Sequence, residues 1–292
     1  MKALVTGGAG FIGTNIIKRL LKDNYEVTSV DNYSTGVKEN EQEGCDYINV
    51  DVSDSSHKHG AWGQTIFQIE KMDIIYHLGA LARIQPSLQN PTESIENNMM
   101  STLNVLEFAR LTKTPVVFAG SSSKHYGLWG SPYAWSKWGG EQLCELYNKV
   151  YNLPVVTCRF YNVYGPYQIL GSEYAAVIGI WLNQFQNNKP LTITGDGEQR
   201  RDFTYVKDIV DGLIRCGENI DKVSGEEFEL GSGVNYSMNE ITAMFGDYPT
   251  TYIPPREGEY DTTLCIDTKI RDTLGWNPQD RIEKYIKEEI GV

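Results

Sequence analysis

Tyr133 and Lys137 stand four residues apart in a stretch that reads as helix, so their side chains share one face. A phenol with an ordinary pKa near ~10 is a poor base at neutral pH. A neighbouring ammonium favours the phenolate and suits the pair to moving a proton on and off a hydroxyl. Ser131 reads as an N-cap and Pro132 as the first helical residue, which puts Tyr133 in the exposed first turn. Taken alone, a Tyr/Lys pair at this spacing is a common surface pair. Ser121-Ser122-Ser123 changes that balance, because it ends the preceding strand and points at the same crevice.

A second constellation lies at the start of the chain. Gly7-Gly8-Ala9-Gly10-Phe11-Ile12-Gly13 follows the first expected strand and opens the first helix. Gly7 permits the tight turn, Gly10 lets backbone approach a pyrophosphate, and Gly13 allows close helix–sheet packing. Asp31 lies 18 residues after Gly13, at the end of the next strand. A carboxylate there accepts hydrogen bonds from both adenosine ribose hydroxyls and repels a 2′-phosphate. With no Arg beside it, NAD is expected rather than NADP, and a cationic nicotinamide ring would add to the pull on the Tyr133 proton. Asp51-Val52 follows the third strand, where an adenine is expected, although a turn-capping Asp accounts for it equally. Leu78-Gly79-Ala80 ends the fourth, where small residues let backbone pass close to a cofactor.

The elements that must hold these groups alternate short apolar runs with helical patterns, as a parallel sheet with crossover helices does. Strands are expected at Lys2–Thr6, Glu26–Asp31, Asp46–Asn49, Ile74–Leu78, Val116–Gly120 and Val155–Phe160, and helices at Ile12–Lys22, Pro91–Arg110 and Pro132–Val150. Lys2–Thr6, Ile74–Leu78 and Val116–Gly120 lack apolar/polar alternation, so both of their faces should be covered. The expected fold class is α/β, with a Rossmann-like doubly wound parallel sheet over residues 1–165. After Gly165-Pro166 the composition turns aromatic and amide-rich. Residues 166–292 are expected to form mainly a smaller C-terminal substrate-binding lobe, discontinuous, with some strands returning to the first domain.

Of the 292 residues, 26 are basic and 38 acidic, a formal charge of −12. Neutralising a nucleic acid needs clustered Lys and Arg, and no basic run is present, so nucleic acid is not an expected partner. A small anion held by a few placed arginines remains open. Cys45, Cys144, Cys158, Cys216 and Cys265 are scattered without a CxxC pair, which argues for reduced cytoplasmic thiols over a disulfide framework. Met1-Lys2 runs straight into an apolar strand instead of a signal peptide, and no window reaches the ~18 apolar residues of a membrane span. His57, His59, His77 and His125 show no ligand spacing, so no metal is expected, and His77 inside a strand reads as structural. Tyr161, Tyr164, Tyr167, Tyr174 and Trp181 could stack a base, and core packing is equally consistent.

Several segments together carry a resemblance. They are the glycine turn, His77-Leu78-Gly79-Ala80, Asn98 before Thr102-Leu103-Asn104, Ser121-Ser122-Ser123 with Tyr126-Gly127, and Tyr133-Ala134-Trp135-Ser136-Lys137. Arg159-Phe160-Tyr161-Asn162-Val163-Tyr164-Gly165-Pro166 and Gly195-Asp196-Gly197-Glu198-Gln199-Arg200-Arg201-Asp202-Phe203 follow in the same order. The chain resembles the NAD-dependent epimerase/dehydratase family, extended short-chain dehydrogenase/reductases acting on nucleotide sugars, and UDP-glucose or UDP-N-acetylglucosamine 4-epimerases in particular. Counting back from Tyr126-Gly127, the resemblance puts Ser122 at the catalytic Ser/Thr position, with Tyr133 as base. Lys137 would lower the Tyr133 pKa and bind the nicotinamide ribose. It further implies cofactor contacts at Phe11, Ile12, Asp31, Asn32, Asp51 and Val52, and a nicotinamide lined by Asn98 and Tyr161. Arg201 and Arg256 would take the diphosphate and Asn162 a phosphate or uracil. Arg83 and Ser87 stand on the sugar side or in a solvated loop.

The reaction implied is 4-epimerisation of a UDP-sugar through a transient 4-keto intermediate. Dehydratases of this type carry an acidic pair, or at least Glu, after the catalytic hydroxyl, and decarboxylases usually carry Glu there. Ser123 and Lys124 occupy those places, and an ammonium cannot serve as the base at C5. A decarboxylase, an epimerase at another carbon or a dehydratase is the same-class alternative, and a non-catalytic NAD-sensing protein the alternative of another class. Only ten residues separate Ser122 from Tyr133, where the family has a longer loop, which suggests a more open sugar pocket. Leu264 aligns with a position tied to N-acetyl tolerance and is neither bulky nor small. The helices Pro91–Arg110 and Pro132–Val150, with Phe108, Leu143, Leu146 and Tyr147, match the pair through which relatives dimerise, so a homodimer is expected.

Overall fold

Consecutive apolar residues build the centre of the molecule. The computed structural model of the chain describes residues 1–54, 69, 71–256, 258 and 260–291. Strands β1 (Lys2–Thr6), β2 (Glu26–Asp31), β3 (Cys45–Asn49), β4 (Ile74–His77), β5 (Val116–Ser121) and β6 (Val155–Phe160) match the six expected ones to within a residue or so at each end. β4 and β5 are buried at every position, as their unbroken apolar runs require. Small strands follow: β7 (Val163–Tyr164), β8 (Leu191–Thr194), β9 (Arg200–Asp202), β10 (Thr204–Tyr205), β11 (Glu227–Leu230), β12 (Asn235–Ser237) and β13 (Thr250–Ile253). β11 joins the main sheet, whose seven parallel strands run in the order β11-β6-β5-β4-β1-β2-β3.

That order reverses between β1 and β4. The chain leaves β1 for β2 and β3 on one side, then returns to β4 and builds β5 and β6 on the other. Neighbouring crossovers part at the carboxyl ends of β1 and β4, where Thr6 pairs with His77, and leave a crevice there. Helix α1 (Phe11–Lys22) covers one face, burying Ile16, Ile17 and Leu20 with Ile209, Val210 and Leu213 of the later helix Val206–Glu218. The short helix α2 (Ile84–Gln89) and the long α3 (Pro91–Thr112) follow β4. A brief α4 (Ser123–Gly127) and then α5 (Pro132–Tyr151) follow β5. α3 and α5 cover the other face, with Leu106, Phe108, Cys144 and Tyr147 buried against β4 and β5. A third cluster around Trp181, Phe203, Met238 and Ile282 holds the C-terminal elements together.

All five cysteines are free thiols. No helix among the described residues is long and apolar enough to cross a membrane. No cluster of His, Cys, Asp and Glu able to hold a metal ion occurs among the described residues; His57 and His59 lie outside them. His77 is structural. Its Nδ1 lies 2.7 Å from Thr6 Oγ1 and its Nε2 3.2 Å from Thr102 Oγ1, and burial with the Lys137 charge pushes its pKa down to about 3.

Candidate functional site

The glycine turn is shaped by close approaches that no side chain could share. Gly7 has φ +72°, and a Cβ on it would lie 2.8 Å from Gly79 Cα at the end of β4. One on Gly13 would lie 2.0 Å from the Gly7 carbonyl oxygen. The N-terminus of α1, capped by Gly10 and without an acidic residue in its first turn, opens into a cavity of about 310 Å³. Gly7, Gly10, Phe11, Ile12, Gly13, Asp31, Asn32, Asp51, Val52, Leu78, Gly79 and Ala80 all line it. Asp31 is anchored by the Ala9 N–H at 2.9 Å and the Tyr33 N–H at 2.8 Å, although burial still raises its pKa. Asp51 does both things the sequence allowed: it accepts from the Ser53 N–H at 2.8 Å, as a turn cap, and it faces the cavity beside Asn32. These residues fit a dinucleotide, with backbone N–H groups at the helix start for phosphate and a carboxylate for the ribose.

A second, larger cavity of about 660 Å³ opens next to the first. Ala82, Arg83, Tyr133, Asn162, Val163 and Ala176 line both, so Tyr133 stands at the seam. Ser131 caps α5 through the Ala134 N–H at 3.1 Å, with Pro132 at the first position, and this start sets Tyr133 where the sequence expected it. The Tyr133 hydroxyl donates to Ser121 Oγ at 3.4 Å. Ser121 Oγ in turn lies 2.7 Å from Ser123 Oγ and accepts from the Ser123 N–H, so Ser123 holds it. The hydroxyl beside Tyr133 is therefore that of Ser121, where the sequence pointed to Ser122. The reason is local: β5 ends at Ser121, and Ser122 has already turned to helical angles (φ −61°, ψ −16°) as the N-cap of α4, lining neither cavity.

Lys137 lies one turn deeper along α5. It is 6% exposed, lies 4.6 Å from the centre of the Phe118 ring, and lines neither cavity; burial brings its pKa down to about 8, against the pull of Glu141. Burial raises the Tyr133 pKa, while the Ser121 hydrogen bond and the Arg83 charge oppose it and Glu141 adds to it.

Three further expected contacts stand back from the cleft. Asn98 clamps the Leu81 backbone, accepting its N–H at 2.8 Å, and donates to Ser136 Oγ at 2.9 Å, so it shapes the loop after β4 without lining it. Tyr161 is buried edge-on against Tyr126, while Phe160 and Asn162 on either side of it reach the cavity, as alternation along extended chain dictates. Ser87 donates to the Ile84 carbonyl at 2.7 Å inside α2 and reaches neither large cavity. Asn162, Arg201 and Arg256 do line the second cavity, together with Gln199 and Trp181. Asn162 Nδ2 is held by the Asp202 carbonyl at 3.0 Å.

Below the seam lies an ion network. Arg159 on β6 reaches Glu141 at 2.9 Å, Glu229 at 2.8 Å and Glu227 at 2.5 Å, and Lys124 reaches Glu227 at 3.3 Å. Burial works against the Arg159 charge, but the glutamates outweigh it and raise its pKa. The Ser121 N–H donates to Glu141 Oε1 at 3.3 Å, tying the network to the end of β5. Lys124 is thereby engaged away from both cavities. Short as it is, the connection from β5 to α5 is packed: Tyr126 donates to the Leu264 carbonyl at 2.8 Å and accepts its N–H at 3.0 Å, and a Cβ on Gly127 would lie 2.3 Å from the Tyr260 ring.

The chain is similar to known proteins over its whole length. The UDP-glucose 4-epimerase of Mycolicibacterium smegmatis is 30% identical over 99% of this chain and 97% of its own. The UDP-N-acetyl-alpha-D-glucosaminuronate decarboxylase of Bacillus cytotoxicus is 31% identical over 99% of this chain and 96% of its own. The crystal structure of UDP-glucose 4-epimerase from Thermotoga maritima with UDP-glucose covers all of this chain and 98% of that one, with a TM-score of 0.89 at 27% identity. A profile of the NAD dependent epimerase/dehydratase family matches residues 3–231. The chain belongs to that family, as an enzyme whose cofactor is NAD.

Proposed function

We propose that this enzyme is a UDP-sugar 4-epimerase. The observation that carries the reading is the position of Tyr133 on the wall shared by the glycine-turn cavity and the second cavity, which Arg201 and Arg256 also line. Bound NAD supplies a reversible hydride acceptor for sugar C4. Tyr133 takes the proton of the 4-hydroxyl as the carbon is oxidised and returns it when the sugar is reduced again, with the Ser121 hydroxyl steadying the oxygen between them. Arg201 and Arg256 hold the diphosphate as bidentate donors, so the nucleotide stays fixed while the 4-keto sugar turns over. A cavity about twice the volume of the first has room for that rotation.

Dehydration and decarboxylation are disfavoured by the residues after Ser121. Ser123 is committed to Ser121, and Lys124 to Glu227 and Glu141, so neither position offers a carboxylate to the sugar. The compact β5–α5 connection supports a pocket that admits larger sugars, with 2-acetamido forms turned over as readily as plain ones. Dimerisation through α3 and α5 is part of the reading. Phe108 and Tyr147 are core residues, but Leu111, Leu146 and Val150 present exposed apolar surface on those helices, and light scattering of the purified chain at the mass of a monomer would count against it. A cytoplasmic location is consistent with five free thiols and is tested by fractionation.

The test is incubation with UDP-glucose, UDP-N-acetylglucosamine and UDP-glucuronate, reading C4 epimers by NMR. The expected product has the substrate's mass and an inverted C4. A product of altered mass overturns epimerisation in favour of dehydration or decarboxylation. Tyr133→Phe should abolish turnover while NAD stays bound, and a near-normal rate in that variant removes Tyr133 as the base.

A further inference from the structure

Behind the second cavity a short stretch of chain, Asp261 to Cys265, packs against two of the residues that line it. The Asp261 carbonyl accepts the Arg200 N–H at 2.8 Å and Arg201 Nη1 at 3.4 Å, and the Arg200 carbonyl accepts the Thr263 N–H at 3.0 Å. The Thr263 carbonyl accepts Asn235 Nδ2 at 3.3 Å. Tyr126 holds both main-chain groups of Leu264, and the Cys265 N–H donates to Asp202 Oδ2 at 3.0 Å. The backbone on both sides of Thr263 is therefore fixed by β9, β12 and the β5–α5 connection. Thr263 itself is 3% exposed and lines neither cavity. Its hydroxyl oxygen accepts the Asp202 N–H at 3.2 Å and Asn162 Nδ2 at 3.3 Å. Asn162 also donates from Nδ2 to the Asp202 carbonyl at 3.0 Å, so Asn162, Asp202 and Thr263 close a ring of three hydrogen bonds.

We propose that Thr263 is a positioning residue for substrate binding: its buried hydroxyl holds the Asn162 amide in the orientation that meets the UDP-sugar. The role rests on the UDP-sugar reading above. Asn162 is exposed and lines both cavities, so an untied amide there would spend its time among several rotamers and lose entropy on meeting a ligand. The ring of hydrogen bonds sets that amide before the ligand arrives. Threonine suits the duty because branching at Cβ stiffens its own χ1, and its backbone is already fixed. Valine in its place would fill the same volume but remove the acceptor shared by Asn162 and the Asp202 N–H. Serine would keep both bonds. No local pattern marks the pair in the sequence, since Thr263 and Asn162 stand 101 positions apart.

The experiment is a double-mutant cycle read by calorimetric titration of NAD-loaded protein with UDP-glucose. Thr263→Val is expected to weaken binding ~5-fold or more, and Thr263→Ser to stay within ~2-fold of wild type. Asn162→Ala should cost at least as much as Thr263→Val. Adding Thr263→Val to Asn162→Ala should then cost less than ~2-fold more, because no amide is left to hold. Unchanged binding in Thr263→Val overturns the proposal, and so does an equal loss in Thr263→Ser. A full ~5-fold further loss in the Asn162→Ala background also overturns it, since general loosening of the wall gives that result. If Thr263→Val fails to fold by thermal melting, Thr263→Cys takes its place in the cycle, keeping the volume while offering only a weak sulfur acceptor. A wild type that binds UDP-glucose without inverting C4 of any UDP-sugar fails the epimerase reading alone and leaves the cycle interpretable. A wild type that binds no UDP-sugar fails both.

Discussion

Replacing Ser121 and Ser122 one at a time by Ala separates the geometry from the residue count along the chain. Ser121 Oγ receives the Tyr133 hydroxyl at 3.4 Å, a long contact of the kind that tightens once substrate sits between the two groups. Deleting a hydroxyl that stabilises a developing oxyanion costs roughly 10²–10³ in kcat. Ser122 lines neither cavity, so its loss should stay within ~3-fold, the size of a ±0.5 kcal/mol surface effect. Stability moves in the same order. Ser121→Ala strands the Ser123 hydroxyl and N–H, a cost of about 1–2 kcal/mol. At ~2–4 °C per kcal/mol, the melting temperature should fall by a few degrees, too little to account for the lost rate. The assay is the initial rate of C4 inversion by NMR with melting curves beside it, and Ser121→Thr, which keeps the hydroxyl, should recover most of the rate. A hundredfold loss in Ser122→Ala with Ser121→Ala near wild type would refute the reasoning and restore the count from Tyr126-Gly127.

Two further predictions test the cleft and its foundation. Gly13→Ala brings a Cβ to 2.0 Å of the Gly7 carbonyl oxygen and 2.7 Å of Gly8 Cα, backbone atoms that cannot step aside cheaply. NAD affinity measured by calorimetry should fall at least ~10-fold, about 1.4 kcal/mol. Arg159→Met should cost about 3–5 kcal/mol, because it leaves buried carboxylates without their cation. The pH dependence of the melting temperature checks the sign: burial tends to raise Glu227 and Glu229, but Arg159, with Lys124 at the first and His125 at the second, holds both below the ordinary range. A depressed folded-state pKa stabilises above the unfolded value of about 4.3 and loses that contribution as pH falls through the folded one. Wild type should therefore lose stability steeply below about pH 4, and Arg159→Met much less.

The strands and helices that build the cleft were readable because their signals are local. β1, β4 and β5 are unbroken apolar runs, and Ser131-Pro132 marks the start of α5 to the residue. β11 was not readable in the same way. Glu227-Phe228-Glu229-Leu230 looks like a half-exposed strand, since two acids alternate with two apolar residues. It joins the sheet only because Glu229 meets Arg159 from β6, the residue its register sets opposite, and that partner lies 70 positions away. An acidic pattern becomes a sheet edge when a distant cation neutralises it, and no window of sequence contains both halves.

The site divides along the same line. Gly7, Gly10, Gly13 and Asp31, expected from type and position, line the first cavity, because phosphate and ribose recognition runs through backbone shape close to one turn. The groups around Tyr133 were harder to read. Spacing says which side chains share a helix face, but not what stands across from that face. Tyr133 and Lys137 do lie one turn apart, yet the ammonium packs over the Phe118 ring, and the hydroxyl that meets the phenol comes from Ser121 at the end of β5.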